Sequence, residues 1–306
     1  PLRLVGSEMC IRDRTYTVEE ATFDSFKGID IALFAGGSIS KDFAPHAVKA
    51  GAVVIDNSSA FRMDPEVPLV VPEVNPQAIL KHKGIIANPN CSTIIMVMAL
   101  KPIYDLAKIK RVIVSTYQAV SGAGKEGIDE LDAQVRDHSE GREMTANILP
   151  SASAEKHYPI AFNLIPQIDV FCDNLYTKEE MKMVNETKKI MEDYEMRITA
   201  TTIRVPVYRS HSESVNIELE KEVDLGAMRE VLAKFPGVTV QDDPSKQEYP
   251  MPLYTSEKDD VYVGRLRRDE SCEKSYNMWV VGDQIRKGAA LNTLQIAETM
   301  IKNGWI

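Results

Sequence analysis

Three short apolar runs in the first hundred residues each empty into a turn, and a helix can follow the first and the third. This alternation limits the chain to an α/β architecture. Residues 31–37, IALFAGG, read as a buried strand ending in Gly36, Gly37 and Ser38; residues 52–56, AVVID, read as the next, and residues 85–87, IIA, as the third. Between the first two, Ser40 is placed to cap a helix carrying Phe43, Ala47 and Val48, which Gly51 ends. Strand, helix and strand in this order predict a parallel sheet with right-handed crossovers, whose ligands sit beyond the carboxyl ends of the strands.

The third run carries the most chemistry. Asn88, Pro89 and Asn90 break it, and Cys91, Ser92 and Thr93 open a segment that is apolar from Ile94 to Leu100. Cys91 therefore stands at a strand-to-helix turn. Unpaired backbone N–H groups and the positive end of the helix dipole favour a thiolate there, lowering a thiol from about 8.5 toward ~3.5–7.5. That makes Cys91 a candidate nucleophile, although most unpaired cysteines are simply small buried hydrophobes. Pro102 is expected to end or kink the helix.

Other candidates are weaker when read alone. Arg62 sits in a polar loop after the second strand, where it either holds an anion or is solvated. A strand over residues 111–116 runs into a small-residue turn with Gln118, Ser121 and Gly122, and glycine there lets a backbone approach a ligand. Thr177 and Glu180 form a capping box for a helix with Met181, Val184 and Met191 near one face. Glu179 and Lys182 on that helix are i and i+3, the spacing of a surface ion pair. Residues 197–208 and 214–220 alternate as strands around a turn that leaves His211 partly exposed, and its ordinary pKa of about 6.5 suits proton transfer. An amphipathic helix with Ala290, Leu294, Ala297 and Ile301 closes the chain at Gly304.

With 306 residues, two domains are expected, each large enough for its own core. The net charge is −9 and no basic cluster tracks a phosphate backbone, so nucleic acid is not an expected partner. No apolar run approaches the ~18 residues of a membrane span and no signal peptide is recognisable, which makes the cytoplasm the expected location. Cys10, Cys91, Cys172 and Cys272 are far apart with no CxxC pair, indicating neither a disulfide framework nor a metal site.

Five segments together are more specific: NPNCST around Cys91, DNSSAFR before it, STYQAVSGAG after it, RVPVYRSHSESV around His211, and KGAALNTLQIAE near the end. In this order, from about Thr15 onward, the chain resembles the aspartate-semialdehyde dehydrogenases, most nearly the bacterial branch with shorter insertions. The resemblance implies a truncated Rossmann-type parallel-sheet domain, residues 1–90 with 284–306. It also implies an α+β catalytic and dimerisation domain of the glyceraldehyde-phosphate-dehydrogenase-like type, residues 91–283. The implied reaction is NADPH-dependent reductive dephosphorylation of β-aspartyl phosphate to aspartate β-semialdehyde, on the route to lysine, threonine, methionine and isoleucine, in a homodimer at least.

The implied roles follow. Cys91 attacks the acyl carbon, His211 manages protons and Gln118 orients the reacting group. Arg204 holds the substrate carboxylate and Glu179 its amino group, while Arg62, Asn90 and Lys182 bind phosphate. NADP contacts fall to Gly36, Gly37 and Ser38 at the adenosine end, Ser121 and Gly122 near the nicotinamide, and Asn292 in the last helix. Members of the family open with a strand and a GxxGxxG turn that residues 1–14 do not carry. The expectation is a fragment whose leader matches nothing in the family and which binds NADPH poorly. N-acetyl-gamma-glutamyl-phosphate reductases and glyceraldehyde-phosphate dehydrogenases share the plan but fit DNSSAFR and the Glu179 helix less well. A noncatalytic nucleotide-binding or dimerising remnant is the alternative from another class.

Overall fold

The computed structural model describes residues 8–11 and 14–306. Strands β1 (Glu8–Ile11) and β2 (Arg14–Thr17) pair antiparallel as a separate ribbon. Then come β3 (Ile31–Phe34), helix α1 (Ser40–Lys49), β4 (Val53–Asp56) and β5 (Ile85–Ala87), with the three strands hydrogen-bonded in that order as a parallel sheet. One face of this sheet meets α1 through Ala44, Ala47 and Val54. Leu33, on the β3 edge, is 48% exposed, so the run that reads as a buried strand is buried only in part.

Ser40 does not cap α1. A 3₁₀ turn over Gly37–Ile39 leads into the helix, which leaves Ser40 inside it with its Oγ donating to Asp56 Oδ1 at 2.8 Å. The helix stops at Gly51, whose φ of +100° only glycine adopts freely.

Helix α2 (Cys91–Ala107) runs straight through Pro102. Ile94 to Leu100 are all fully buried, and each side chain of their size buried this way contributes about 1.5–3 kcal/mol. That outweighs the roughly 3 kcal/mol an interior proline costs. Around α2 wraps the second domain: β6 (Ile109–Gln118), α3 (Lys125–Ser139), α4 (Lys178–Met191), β7 (Arg197–Arg204), β8 (His211–Leu219), α5 (Leu225–Lys234), β9 (Val238–Val240), the one-turn α6 (Pro252–Thr255), β10 (Val261–Arg268) and β11 (Ser275–Gly282). Its sheet has the order β7-β6-β8-β11-β10-β9, parallel between β6 and β7 and between β9 and β10, antiparallel elsewhere. The inner face packs on α2, α4 and α5 in the largest core.

A π-helical turn, Arg286–Ala290, returns the chain past α2 into α7 (Leu291–Asn303). There Ile296 and Met300 bury against Ile55 and Ile86 of the parallel sheet. On α4 the buried positions are Glu179, Glu180, Met183, Glu186, Thr187 and Ile190, not the Met181, Val184 and Met191 face, so the side turned inward is largely polar. Among the described residues no helix is long and apolar enough to cross a membrane, and no group of three or more His, Cys, Asp or Glu is placed to hold a metal ion.

Candidate active site

The break after β5 makes Asn90 the N-cap of α2. Its Oδ1 accepts the Thr93 N–H at 3.2 Å, and Cys91 follows as the first helical residue. Cys91 keeps some exposure in the wall of a cleft of about 400 Å³. Asn90 is fixed twice more, its Nδ2 donating to Glu179 Oε1 at 2.9 Å and its backbone N–H to Glu186 Oε2 at 2.6 Å.

Helix α4 faces that cap. The capping box forms as the sequence predicts, Thr177 and Glu180 each accepting the other's backbone N–H, so the first turn is rigid where Glu179 enters the cleft. Glu179 Oε1 also accepts Gln118 Nε2 at 3.2 Å, and Lys182 bridges Glu179 Oε2 at 3.1 Å and Asp169 Oδ2 at 3.0 Å. The pair that its spacing alone reads as a surface ion pair, and the resemblance as a substrate pair, lines the cleft, with Glu179 only 5% exposed.

The ends of three strands supply the third side. Gln118 and Arg204, the last residues of β6 and β7, are neighbours in register, and His211 opens β8. Arg204 Nη1 donates to Ala119 O at 2.7 Å while its Nε has no partner among the described residues. Gly122 leaves the room between them: a Cβ there would stand 2.7 Å from Arg204 Nη1 and 3.4 Å from His211 Nε2. His211 is fully buried at the start of a strand, not half-exposed in a turn. It lies behind Gly122 and is absent from the residues lining the cleft that Cys91, Gln118 and Arg204 share.

The ring's protonation follows from one contact. The Ala119 N–H donates to His211 Nδ1 at 3.1 Å, so the neutral ring carries its hydrogen on Nε2, a buried atom with no partner among the described residues. Burial, and secondarily the Arg204 charge, holds the imidazole well below its usual value. Burial likewise pushes the Cys91 thiol up, to about 11, with the Glu179 carboxylate adding to the rise and Arg62, Arg204 and the Ser92 N–H opposing it. The lowered thiol expected from the helix terminus is thus overturned, because desolvation and a nearby carboxylate outweigh the groups that favour thiolate. Burial also raises Glu179, but Lys182 and the donors Asn90 and Gln118 outweigh it and leave the carboxyl below its ordinary value. For Lys182 the order is similar: burial lowers it, and Glu179 and Asp169 win and raise it.

Of the residues expected at a cofactor, Gly36, Gly37 and Ser38 form an exposed shelf beyond the carboxyl end of β3. Ser121 Oγ accepts Gln284 Nε2 at 2.5 Å, and Gln284 Oε1 accepts the Ser210 N–H at 2.9 Å. Asn292 is different. It is fully buried, its Nδ2 donates to Val70 O and Asn88 Oδ1, and its Oδ1 accepts Lys287 Nζ. The amide is saturated by the protein and ties α7 to the β5 turn instead of facing a ligand.

Residues 5–82 match the model of the semialdehyde dehydrogenase NAD binding domain, and residues 100–287 that of the semialdehyde dehydrogenase dimerisation domain. The aspartate-semialdehyde dehydrogenase of Aquifex aeolicus is 56% identical, over 99% of this chain and 89% of that one. That of Bacillus subtilis is 52% identical, over 98% and 87%. The chain belongs to the aspartate-semialdehyde dehydrogenase family. Its fold agrees: a crystal structure of aspartate semialdehyde dehydrogenase II from Vibrio cholerae complexed with ASA superposes with a TM-score of 0.92 at 44% identity, over 98% of this chain and 88% of that one. The match to the NAD binding domain opens at residue 5, inside the stretch that the sequence reading leaves outside the aspartate-semialdehyde dehydrogenase pattern.

Three residues of this site escape sequence reasoning. Glu186 carried a signal, since it lies seven residues after Glu179 on the same helical face. Asp169 ends an irregular apolar stretch and carried none. Gly288, packed on Cys91, was hidden in a run of small residues.

Proposed function

We propose that this chain reduces β-aspartyl phosphate to L-aspartate β-semialdehyde with release of phosphate, using NADPH, and runs the phosphate-dependent oxidation in reverse. One observation carries the reading: a cysteine at a helix N-terminus shares one cleft with two arginines, a lysine and a buried carboxylate. A substrate with a carboxylate, an ammonium group and an acyl phosphate presents the complementary charges.

Arg204 takes the α-carboxylate with the N–H groups that Ala119 leaves free, and Glu179 takes the ammonium group. Arg62 and Lys182 take the phosphate. Gln118, held by Glu179, orients the acyl group beside Cys91. The Cys91 Sγ bonds to the acyl carbon, the C–O bond to phosphate breaks, the departing phosphate carries off the thiol proton, and a thioester remains. His211, whose Nε2–H lies against Gly122 at the edge of this cleft, is the group left to serve the oxygen that gains charge once the bound ligands close the gap. The substrate ammonium offsets the Glu179 charge that disfavours the thiolate, so ligand binding itself favours activation of Cys91.

NADPH, when bound, supplies the hydride that reduces the thioester. The exposed shelf of Gly36, Gly37 and Ser38 supports a place for its adenosine end, and the gap over Gly122 with the unpartnered His211 Nε2 supports one for the nicotinamide end. In this reading residues 1–90 with 284–306 hold the cofactor and residues 91–283 carry catalysis and pairing, in a cytoplasmic homodimer. Cys91→Ala is expected to abolish turnover while leaving thermal unfolding unchanged. Appreciable phosphate-dependent oxidation of aspartate β-semialdehyde by that variant would sink the assignment.

A further inference from the structure

Glu186 is 1% exposed, lies on α4 and belongs to none of the roles above. Its two carboxylate oxygens hold two different parts of the site. Oε1 accepts Arg62 Nη1 at 3.3 Å, and Oε2 accepts the Asn90 backbone N–H at 2.6 Å. Arg62 is otherwise held by the main chain, its Nε donating to Asn88 O at 2.9 Å and its Nη2 to Asn57 O at 2.8 Å. Three of the five guanidinium N–H groups are thereby engaged, which leaves one on each terminal nitrogen, a fork for two oxygens of a tetrahedral anion.

We infer that Glu186 is the positioning residue of the anion site, aiming Arg62 at the phosphate and fixing the start of the nucleophile's helix through one carboxylate. This rests on the reading that Arg62 receives phosphate. A carboxylate is required because both partners are donors. Glutamine has the same shape but accepts on one atom only, so whichever way its amide turns, an N–H faces either Arg62 or the Asn90 N–H. Arg62 and Asn90 flank β5 on loops of the parallel-sheet side, while Glu186 belongs to the other domain, so the contact also sets the distance between anion and thiol.

The full chain is titrated with inorganic phosphate, by calorimetry and by KM in the oxidative direction. Glu186→Gln is expected to weaken phosphate binding by about tenfold or more, with the KM for the semialdehyde changed by less than about twofold. Glu186→Asp keeps two acceptors on a shorter stem and is expected to fall between, at about threefold; it carries the test if the glutamine variant does not fold. In an Arg62→Ala background, Glu186→Gln is expected to add less than about twofold, since the residue acts through Arg62. Phosphate affinity unchanged in both Glu186 variants overturns the proposal, as does an equal rise in both KM values, the mark of a merely structural role. A failure of the functional reading is seen separately, as wild-type protein that does not oxidise the semialdehyde, and calorimetry with phosphate alone still tests Glu186.

Discussion

Gly288 lies against the backbone of Cys91: a methyl group at position 288 would stand 2.9 Å from the Cys91 Cβ and 3.3 Å from its Cα. Neither atom is the free end of a flexible side chain, so one of the two segments must move. Gly288 lies in the π-helical turn Arg286–Ala290 and Cys91 in the first turn of α2. Gly288→Ala is expected to lower kcat about tenfold or more, because small displacements of a nucleophile are costly, while costing about 1–3 kcal/mol of stability as an overpacking change. Steady-state kinetics beside chemical denaturation check this, and a variant with unaltered kcat shows that the nucleophile does not depend on this contact.

The raised Cys91 thiol has its own signature. In ligand-free protein the rate of alkylation by iodoacetamide is expected to keep climbing with pH above neutrality, with no plateau before pH approaches the thiol value of about 11. Glu179 contributes to that rise. Glu179→Gln is therefore expected to shift the profile to lower pH and to speed alkylation at pH 8. A wild-type plateau below pH 8 contradicts the desolvated thiol.

Behind His211, on the same face of β8, Glu213 is fully buried and neither carboxyl oxygen has a partner among the described residues. Burial raises its pKa well above the ordinary 4.5. Above pH 4.5 the unfolded chain has released this proton while the native state still holds it, so the native state binds more protons and stability falls as pH rises, until the folded value is reached. The slope is at most about 1.4 kcal/mol per pH unit. Glu213→Gln, neutral at every pH, is expected to remove this fall and to gain stability over wild type between pH 5 and pH 8. Urea denaturation at both pH values measures it; parallel pH dependence in the two proteins contradicts a buried, protonated Glu213.

These features differ in how far the sequence exposes them. The place of Cys91 and the capping box of Thr177 and Glu180 are local, resting on residues within one turn, and they form as read. Leu33 and Pro102 show the limit of local reading. The first is exposed because β3 lies at a sheet edge, and the second is accommodated because the core holds its helix on both sides. The state of the thiol depends on Glu179, brought from another helix, and the burial of His211 depends on strand register. Asn292 is a cofactor contact only through the family resemblance, and packing against Asn88 and Lys287 turns it inward.

Helix α4 also holds the loop after β4 through a lysine. Lys189, on the same face of α4 as Glu186, donates from Nζ to the carbonyls of Arg62 at 2.8 Å, Asp64 at 2.7 Å and Val67 at 2.8 Å. One ammonium group with three donors satisfies three carbonyls of the loop that carries Arg62, so α4 grips that residue by its backbone as well as its guanidinium. Bonds to a charged donor contribute more than neutral ones, but these carbonyls regain water when the lysine is lost, so Lys189→Met is expected to cost about 2 kcal/mol. The phosphate KM is expected to rise with it, since the Arg62 loop loses its anchor while Glu186 stays in place. Urea denaturation and oxidative kinetics measure the two effects; a loss under about 0.5 kcal/mol, the scale of an ordinary surface substitution, would show that the loop is held by its own packing and not by the lysine.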